Sequence, residues 1–356
     1  MIQQVYRKLL ENSFKNRTIT IAGSGISGLV AALILKKNGY NPILYEKASR
    51  CGFNRHSDFE GLETWNLYSN PIEELKKIGI KITFNYKVFH SFKVNMVDKK
   101  SILIKSPKPF FYILSRGDQP GDLDYELQSQ VEKENIKINF KEKIRKNQAH
   151  IIATGPKKAN AFIKGITFDT NLDDQVQLIL GNDIAPKGYG YLIVINGKAT
   201  LAVAYKKVKK RTDGILKELI DYSKKIFDMK IKNYKAFSSF GSFNFKQPKV
   251  DQMGRIYIGE AGGFQDYLFG FGIQYAVASA SLATESIFKD KSFSCIYRDR
   301  IKAYMSVSSR NRKFYERLND NQLYLITKIL SKSSDPISLL RKRTQPTLLD
   351  KILKYF

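Results

Sequence analysis

The sequence predicts an α/β protein: a Rossmann-like unit interleaved with a β-sheet domain and followed by a basic helical C-terminal region. Three observations carry this. A glycine-rich turn joins an apolar strand to an apolar helix at residues 18–37, an Asn-Gly hairpin marks a β-rich middle, and a second strand-turn-helix unit follows near residue 260.

With 356 residues, 43% of them hydrophobic, the chain can bury a substantial core. Two cysteines, Cys51 and Cys295, and three histidines rule against a disulfide framework and show no metal-ligand spacing, so no metal is expected. No apolar run reaches bilayer-spanning length and residues 1–17 lack a signal-peptide pattern, so a cytoplasmic protein is expected. The 60 basic against 33 acidic residues leave a charge of +27, which favours an anionic partner such as phosphate, nucleic acid or acidic lipid. From Lys289 to Phe356 there are 16 basic and 6 acidic residues, so the surplus is dense at the C-terminal end.

Residues 1–17 read as an N-terminal amphipathic extension, with Val5, Leu9, Leu10 and Phe14 among Arg7, Lys8, Lys15 and Arg17. Ile19 to Ala22 form a strand, Leu29 to Lys37 a helix, and Ile43 to Tyr45 a second strand. A mixed segment to about Phe140 precedes a buried strand at Ala149 to Ile152, which ends at Ala153-Thr154-Gly155. Tyr191 to Ile195, Asn196-Gly197 and Lys198 to Tyr205 make a hairpin, because Asn-Gly tolerates the positive φ angles of a type I′ turn. Arg255 to Ile258 is a strand and Ile273 to Phe288 a helix of small and apolar residues. Beyond residue 290 the chain reads as helices divided by Pro336 and Pro346. The boundaries expected are a first nucleotide-binding part at 18–160, with a substrate-domain insertion around 66–112, a β-sheet substrate domain at 161–250, a second nucleotide-binding part at 251–290, and the basic helices at 291–356.

The turn Gly23-Ser24-Gly25-Ile26-Ser27-Gly28 assigns each glycine a task. Gly23 turns tightly, Gly25 lets the backbone approach a pyrophosphate, and Gly28 lets helix and strand pack closely. Phosphates then rest on the helix N-terminus at Ile26 and Ser27. Glu46, 18 residues after Gly28 and followed by Lys47, ends the second strand where a carboxylate accepts from ribose hydroxyls. Ala32 and Gly39 occupy helix-packing positions, which makes the pattern more specific than the glycines alone. The unit serves FAD and NAD equally, and the choice between them rests on later segments.

Gly259-Glu260-Ala261-Gly262-Gly263-Phe264, continuing through Gly270-Phe271-Gly272-Ile273, resembles the GDAAG…DP…GxGI segment of geranylgeranyl reductase-like flavoproteins. These lie within the wider p-hydroxybenzoate hydroxylase-type FAD superfamily. The segment from Gly181 to Tyr191 with the following hairpin is similar to the substrate-domain stretch of the same reductases, and Arg116-Gly117 with Leu123 and Leu127 to the superfamily's Arg…Leu…Leu segment. Arg50-Cys51-Gly52 resembles the reductases' RCG segment. The resemblance covers about residues 18–290 in order.

It implies an FAD-binding domain, with Glu260 on the ribityl chain, Arg116 along the FAD, and Gly155, Gly259, Gly270, Gly272 and Ile273 around the cofactor. Backbone N–H groups and the helix dipole after Gly272 would face the flavin N1 and O2, where a reduced flavin is negative. Departures are Glu260 and Tyr267, where the family usually has Asp and Pro, and Phe271, where it often has a polar residue.

Cys51, by the RCG resemblance, and His56, from the ionisable run Arg55 to Trp65, are the candidate catalytic residues, for a flavin-proximal thiol and an acid-base group. Tyr189, Tyr191, Phe240, Phe243 and Phe245 are candidate cavity residues, and Trp65 a core residue.

The resemblance implies hydride transfer from N5 of reduced FAD to a C=C bond of an apolar, prenyl-lipid-like substrate, with NAD(P)H or a ferredoxin-like protein as electron donor. Two alternatives stand beside it. One is a flavin monooxygenase, although the usual DG motif is not recognisable. The other is a non-catalytic basic flavoprotein binding RNA or acidic lipid, although no RNA-binding aromatic motif or Gly-rich basic tract is present. Leu323, Leu325, Ile326, Ile329, Leu348, Ile352 and Leu353, among Lys328, Lys332, Lys351 and Lys354, suit a peripheral contact with an anionic membrane surface.

Overall fold

The computed structural model describes residues 17–156, 159–206, 214–242 and 249–353. Of the sequence expectations, the helix before Arg17, the cavity candidates Phe243 and Phe245, and Lys354 of the expected membrane contact fall outside these residues.

Strand β1 (Thr18–Ala22) enters the glycine turn, helix α1 (Ile26–Lys37) leaves it, and β2 (Asn41–Glu46) returns beside β1. Nearly every residue of α1 from Ile26 to Leu35 is buried, which explains why its sequence is apolar on all sides. Then come β3 (Asp58–Glu63), α2 (Pro71–Lys77), β4 (Tyr86–Phe89), β5 (Ser91–Met96), β6 (Ile102–Lys105) and β7 (Phe111–Arg116). Helix α2 starts where Pro71, lacking an N–H, loses nothing, and Asn70 accepts from the Glu73 N–H. Helix α3 (Leu123–Lys133), β8 (Lys137–Phe140) and β9 (Ile151–Ile152) complete the first pass.

The middle of the chain supplies β10 (Ala161–Asp169), β11 (Gln175–Leu180), β12 (Tyr189–Ile195), β13 (Lys198–Lys206), α4 (Ile215–Phe227) and β14 (Lys232–Gly241). The expected hairpin forms at Asn196 and Gly197, whose φ values are 51° and 72°, in the region two-residue β-turns require. After β15 (Ile256–Tyr257), a single 3-10 turn at Gly259–Gly262 leads toward α5 (Ile273–Phe288). The C-terminal helices are α6 (Phe293–Arg300), α7 (Lys302–Tyr315), α8 (Asp320–Lys332), α9 (Pro336–Thr344) and α10 (Leu348–Leu353). Pro336 opens α9 and Pro346 separates it from α10, as their missing N–H groups dictate.

Three sheets result. The parallel sheet has the order β15-β9-β1-β2-β8, with α1 packed against α5. A seven-stranded sheet has the order β14-β10-β13-β12-β11-β5-β6; β5 joins it by pairing parallel with β11. Residues 91–105 therefore extend the sheet that residues 161–241 build. A small antiparallel sheet, β3-β7-β4, sets Asp58 opposite Arg116. Among the described residues no helix is long and apolar enough to cross a membrane.

Candidate active site

A cavity of about 1170 Å³ has walls drawn from all three sheets and from the C-terminal helices. Ordinary small-molecule pockets hold roughly 300–1,000 Å³, so this space exceeds what one drug-sized ligand needs.

Its polar end is the glycine turn. Gly23 has φ 98°, and a Cβ there would lie 2.5 Å from the Ala153 carbonyl oxygen; a Cβ on Gly28 would lie 2.1 Å from the Gly23 carbonyl oxygen. Both glycines are thus required by backbone packing. Gly25 instead has open space where its Cβ would go, and the same holds for Gly155. Gly23, Gly25, Ile26, Ser27 and Gly155 line the cavity, whereas Gly28 serves the packing behind it. Gly25 caps α1 without a side-chain hydrogen bond, and no acid sits in the first turn, so its leading N–H groups are open to an anion.

Glu46 lines the same end. Its Oε2 accepts from the Ser24 N–H at 2.9 Å and the Ser24 hydroxyl at 3.2 Å, and its Oε1 from the Ala48 N–H at 2.9 Å. A carboxylate offers about four acceptor positions, so these bonds leave room for one hydroxyl rather than two. Lys47 lies on the exposed rim.

Across the cavity, Gly259 has φ 55° and donates its N–H to the Ser279 hydroxyl at 2.9 Å. Glu260 follows, half-buried; desolvation pushes its carboxyl up to about 7 against the opposing pull of Arg55 and Arg116. Gly270, Gly272 and Ile273 line the wall, and Gly272 begins α5 with neither a side-chain cap nor an acid in the first turn. Two uncapped helix N-termini therefore face one space, together with glycines that keep side chains out of it. These features fit a dinucleotide with an anionic pyrophosphate at one helix and an electron-rich ring at the other.

The loop before Gly270 is clamped from three directions. The Tyr189 hydroxyl donates to the Phe269 carbonyl at 2.5 Å, Arg312 donates to the Leu268 carbonyl at 3.1 Å and to the Lys187 carbonyl, and Asp266 accepts from the Phe269 N–H at 2.7 Å. Phe271 packs edge-on against Trp65, 5.9 Å between ring centres, and near Phe111 at 6.3 Å. The apolar residue at this position thus belongs to an aromatic cluster at the junction of the polar and apolar halves.

Arg116 lines the cavity, but its guanidinium is engaged: Nε and Nη2 donate to both oxygens of Asp124, at 2.7 and 2.9 Å, and Nη1 donates to Glu60 at 3.1 Å. Arg55 donates to Asp58 at 3.0 Å and to Glu60. Burial alone would raise the Glu60 carboxyl, but Arg55 and Arg116 hold it below the ordinary glutamate range.

The apolar half lies between the seven-stranded sheet and the last helices. Phe92, Val94, Ile104, Val176 and Ile193 face Leu323, Leu330, Leu339 and Leu340. Tyr189, Tyr191 and Phe240 line it as expected, and Trp65, read from sequence as core, is both buried and part of the wall. Leu323, expected on a membrane-facing surface, is buried, because α8 packs on β6 and turns that residue inward.

Both catalytic candidates stand apart from this space. Cys51 is buried outside the cavity wall, its thiol donating to the Ser24 hydroxyl at 3.1 Å, and burial pushes the thiol up to about 12. His56 is exposed and absent from the wall; its N–H donates to Asp58 and its ring lies 6.4 Å from that of Phe237. The β3–β7 pairing sets Glu60 at the cavity wall instead, and Arg55 reaches it from the preceding loop. Sequence reading missed these two, and Arg312 as well. Period-two alternation of Asp58 and Glu60 was the one signal for β3. Among the described residues no cluster of His, Cys, Asp and Glu is placed to hold a metal ion.

A two-part protein with a dinucleotide cradle opening onto an apolar chamber is the class these features define. A family model described as an NAD(P)-binding Rossmann-like domain matches residues 21–63. The fold is that of a geranylgeranyl bacteriochlorophyll reductase-like protein from Thermoplasma acidophilum, whose structure superposes with TM-score 0.71 at 17% identity, covering 96% of each chain. The p-nitrophenol 4-monooxygenase PnpA from Pseudomonas putida superposes with TM-score 0.64 at 12% identity, over 92% of this chain and 96% of that one. In sequence, an uncharacterized protein of Methanosarcina barkeri is 26% identical over 300 residues, 77% of this chain and 75% of its own. The expected fold is therefore observed, and it is shared by a protein described as reductase-like and by a monooxygenase.

Proposed function

We propose that the protein is an FAD-dependent oxidoreductase of the geranylgeranyl reductase-like kind, reducing a carbon–carbon double bond of an apolar, prenyl-lipid-like substrate. The observation that carries this reading is the continuity of one cavity from the glycine turn, past Glu260 and the N-terminus of α5, into the chamber under α8 and α9.

FAD bound there would supply a hydride from its reduced ring. The protein's part is binding, orientation, dryness and proton placement. The N–H groups at Ile26 and Ser27 hold the pyrophosphate, Glu46 fixes the ribose, and the α5 N-terminus favours negative charge on the ring. Glu260, whose carboxyl desolvation raises to about 7, exchanges a proton at the cavity wall near neutral pH. The aliphatic chamber excludes water and accepts a chain with no hydrogen-bonding needs.

The test is anaerobic. FAD-loaded protein is reduced with dithionite, and reoxidation is followed by flavin absorbance with and without a prenyl lipid. Faster reoxidation, with a product two hydrogens heavier, supports the reading. Oxygen consumption dependent on an aromatic substrate would replace it with the monooxygenase reading, which the likeness to PnpA keeps in view. Protein that takes up no FAD overturns both. Parallel reductions with NAD(P)H and with a reduced ferredoxin-like protein identify the electron donor.

A further inference from the structure

Helix α8 carries one broad apolar arc that runs from the cavity side to the surface. Leu323 and Leu330 point into the cavity, while on the outside Leu325, Ile326 and Ile329 are 58%, 43% and 55% exposed. At about 100° per residue the outer three fall within one arc of the helix, where a surface helix ordinarily carries polar groups. Ile326 and Ile329 also line the cavity, so the exposed patch lies at a mouth of the chamber.

A cationic flank borders the patch. The Tyr324 hydroxyl donates to the Lys100 carbonyl at 3.3 Å, holding the β5–β6 turn against α8, and the Lys99 and Lys328 ammonium groups lie 5.8 and 4.8 Å from the Tyr324 ring centre. Lys332 follows one turn later. Asp98 is the single acid of the turn, and the acid of α8, Asp320, accepts from Asn182 instead of meeting these lysines. An apolar strip edged by lysines and a tyrosine has the composition of a surface that rests in a bilayer interface.

We propose that this face docks on an anionic lipid bilayer, with Leu325, Ile326 and Ile329 among the acyl chains and Lys99, Lys100, Lys328 and Lys332 on the headgroups. The mouth of the chamber then opens toward the lipid phase, from which an apolar substrate enters without crossing water. A second copy of the chain suits the patch poorly. A two-fold contact would set lysines against lysines in a protein of charge +27, and three side chains fall far short of the roughly 1,200 Å² that a stable interface buries. The inference extends the apolar-substrate reading but needs no flavin chemistry, because vesicle binding requires neither electron donor nor turnover.

The full-length, FAD-loaded protein is sedimented with vesicles of phosphatidylcholine alone or mixed with phosphatidylglycerol, at low and high salt. Binding is expected to the mixed vesicles only, and to weaken with salt. Lys328→Gln and Lys332→Gln should each lower it about fivefold, and Leu325→Gln with Ile329→Gln should abolish it. Flavin absorbance and thermal unfolding, unchanged in these surface variants, show that the fold is intact. Absence of vesicle binding, binding equal in all variants, or a dimer in light scattering that the Leu325→Gln and Ile329→Gln changes dissolve would each overturn the proposal. A failed prenyl-lipid reoxidation with normal vesicle binding would instead leave this face standing and remove the substrate assignment.

Discussion

Arg116 and Asp124 form a two-point ion pair, Nε to Oδ2 at 2.7 Å and Nη2 to Oδ1 at 2.9 Å, that ties the end of β7 to the first turn of α3. Glu60 takes the remaining guanidinium edge, so the pair anchors the charged wall of the cavity. Removing the arginine leaves the Asp124 carboxylate buried without its cation, while Glu60 keeps only Arg55. Arg116→Ala is expected to cost about 3–5 kcal/mol in urea unfolding. Arg116→Lys should recover little of it, since an ammonium cannot make the paired contact.

Gly25 and Gly28 should separate cofactor binding from folding. Gly25 has φ −72° and open space beside it, so Gly25→Ala is expected to leave apo stability within about 0.5 kcal/mol. FAD affinity should fall at least about tenfold, because the new methyl enters the place of the pyrophosphate. Gly28→Ala meets the Gly23 carbonyl and should destabilise the apo protein by about 1–3 kcal/mol. Flavin titration and denaturant unfolding of both variants check the contrast.

Glu63 gives a pH dependence. It is buried, its Oε1 has no hydrogen-bond partner among the described residues, and desolvation raises its carboxyl from 4.5 to about 8. Ionisation therefore opposes folding: this contribution to stability is full below about pH 4.5 and is lost as pH rises toward 8. Glu63→Gln, neutral at every pH, should gain on the wild type across that window, by on the order of a few kcal/mol at its upper end. Unfolding curves for both proteins at pH 5, about 7 and about 9 read the difference. A constant difference would mean that Glu63 does not titrate there.

Cys51 should prove dispensable for turnover. With the thiol pushed up to about 12 and outside the cavity wall, almost none of it is thiolate at neutral pH. Cys51→Ala is expected to keep the prenyl-lipid reoxidation rate within about twofold, while stability falls by about 1 kcal/mol. Iodoacetamide at mildly alkaline pH should label the exposed Cys295 and spare Cys51 in the folded protein, as peptide mass mapping would show.

The Rossmann unit was legible because its constraints are local. Gly23 and Gly28 are dictated by contacts between β1, α1 and the strand end at Ala153, and such close approaches admit few residue types. The hairpin at Asn196-Gly197 and the helix at Ile273–Phe288 were legible for the same reason. Arg55, Glu60 and Arg312 were not, since nothing in their neighbourhoods distinguishes a cavity-facing charge from a solvated one. Their placement follows from pairing β3 with β7 and from packing α7 on the loop at Leu268, contacts between residues 44 to 125 positions apart.

The sequence by itself determined the nucleotide cradle, its acid at Glu46 and the second turn at Gly259 to Ile273, because each is written in backbone sterics over a few adjacent residues. Tertiary structure alone decided which face of α8 closes the chamber and which meets solvent. The apolar residues of that helix look equivalent in the sequence, and only its seat on β6 turns Leu323 inward and leaves Leu325 and Ile329 outside. It decided Cys51 in the same way: burial behind Ser24, rather than the residue's chemistry, keeps that sulfur protonated and away from the cavity.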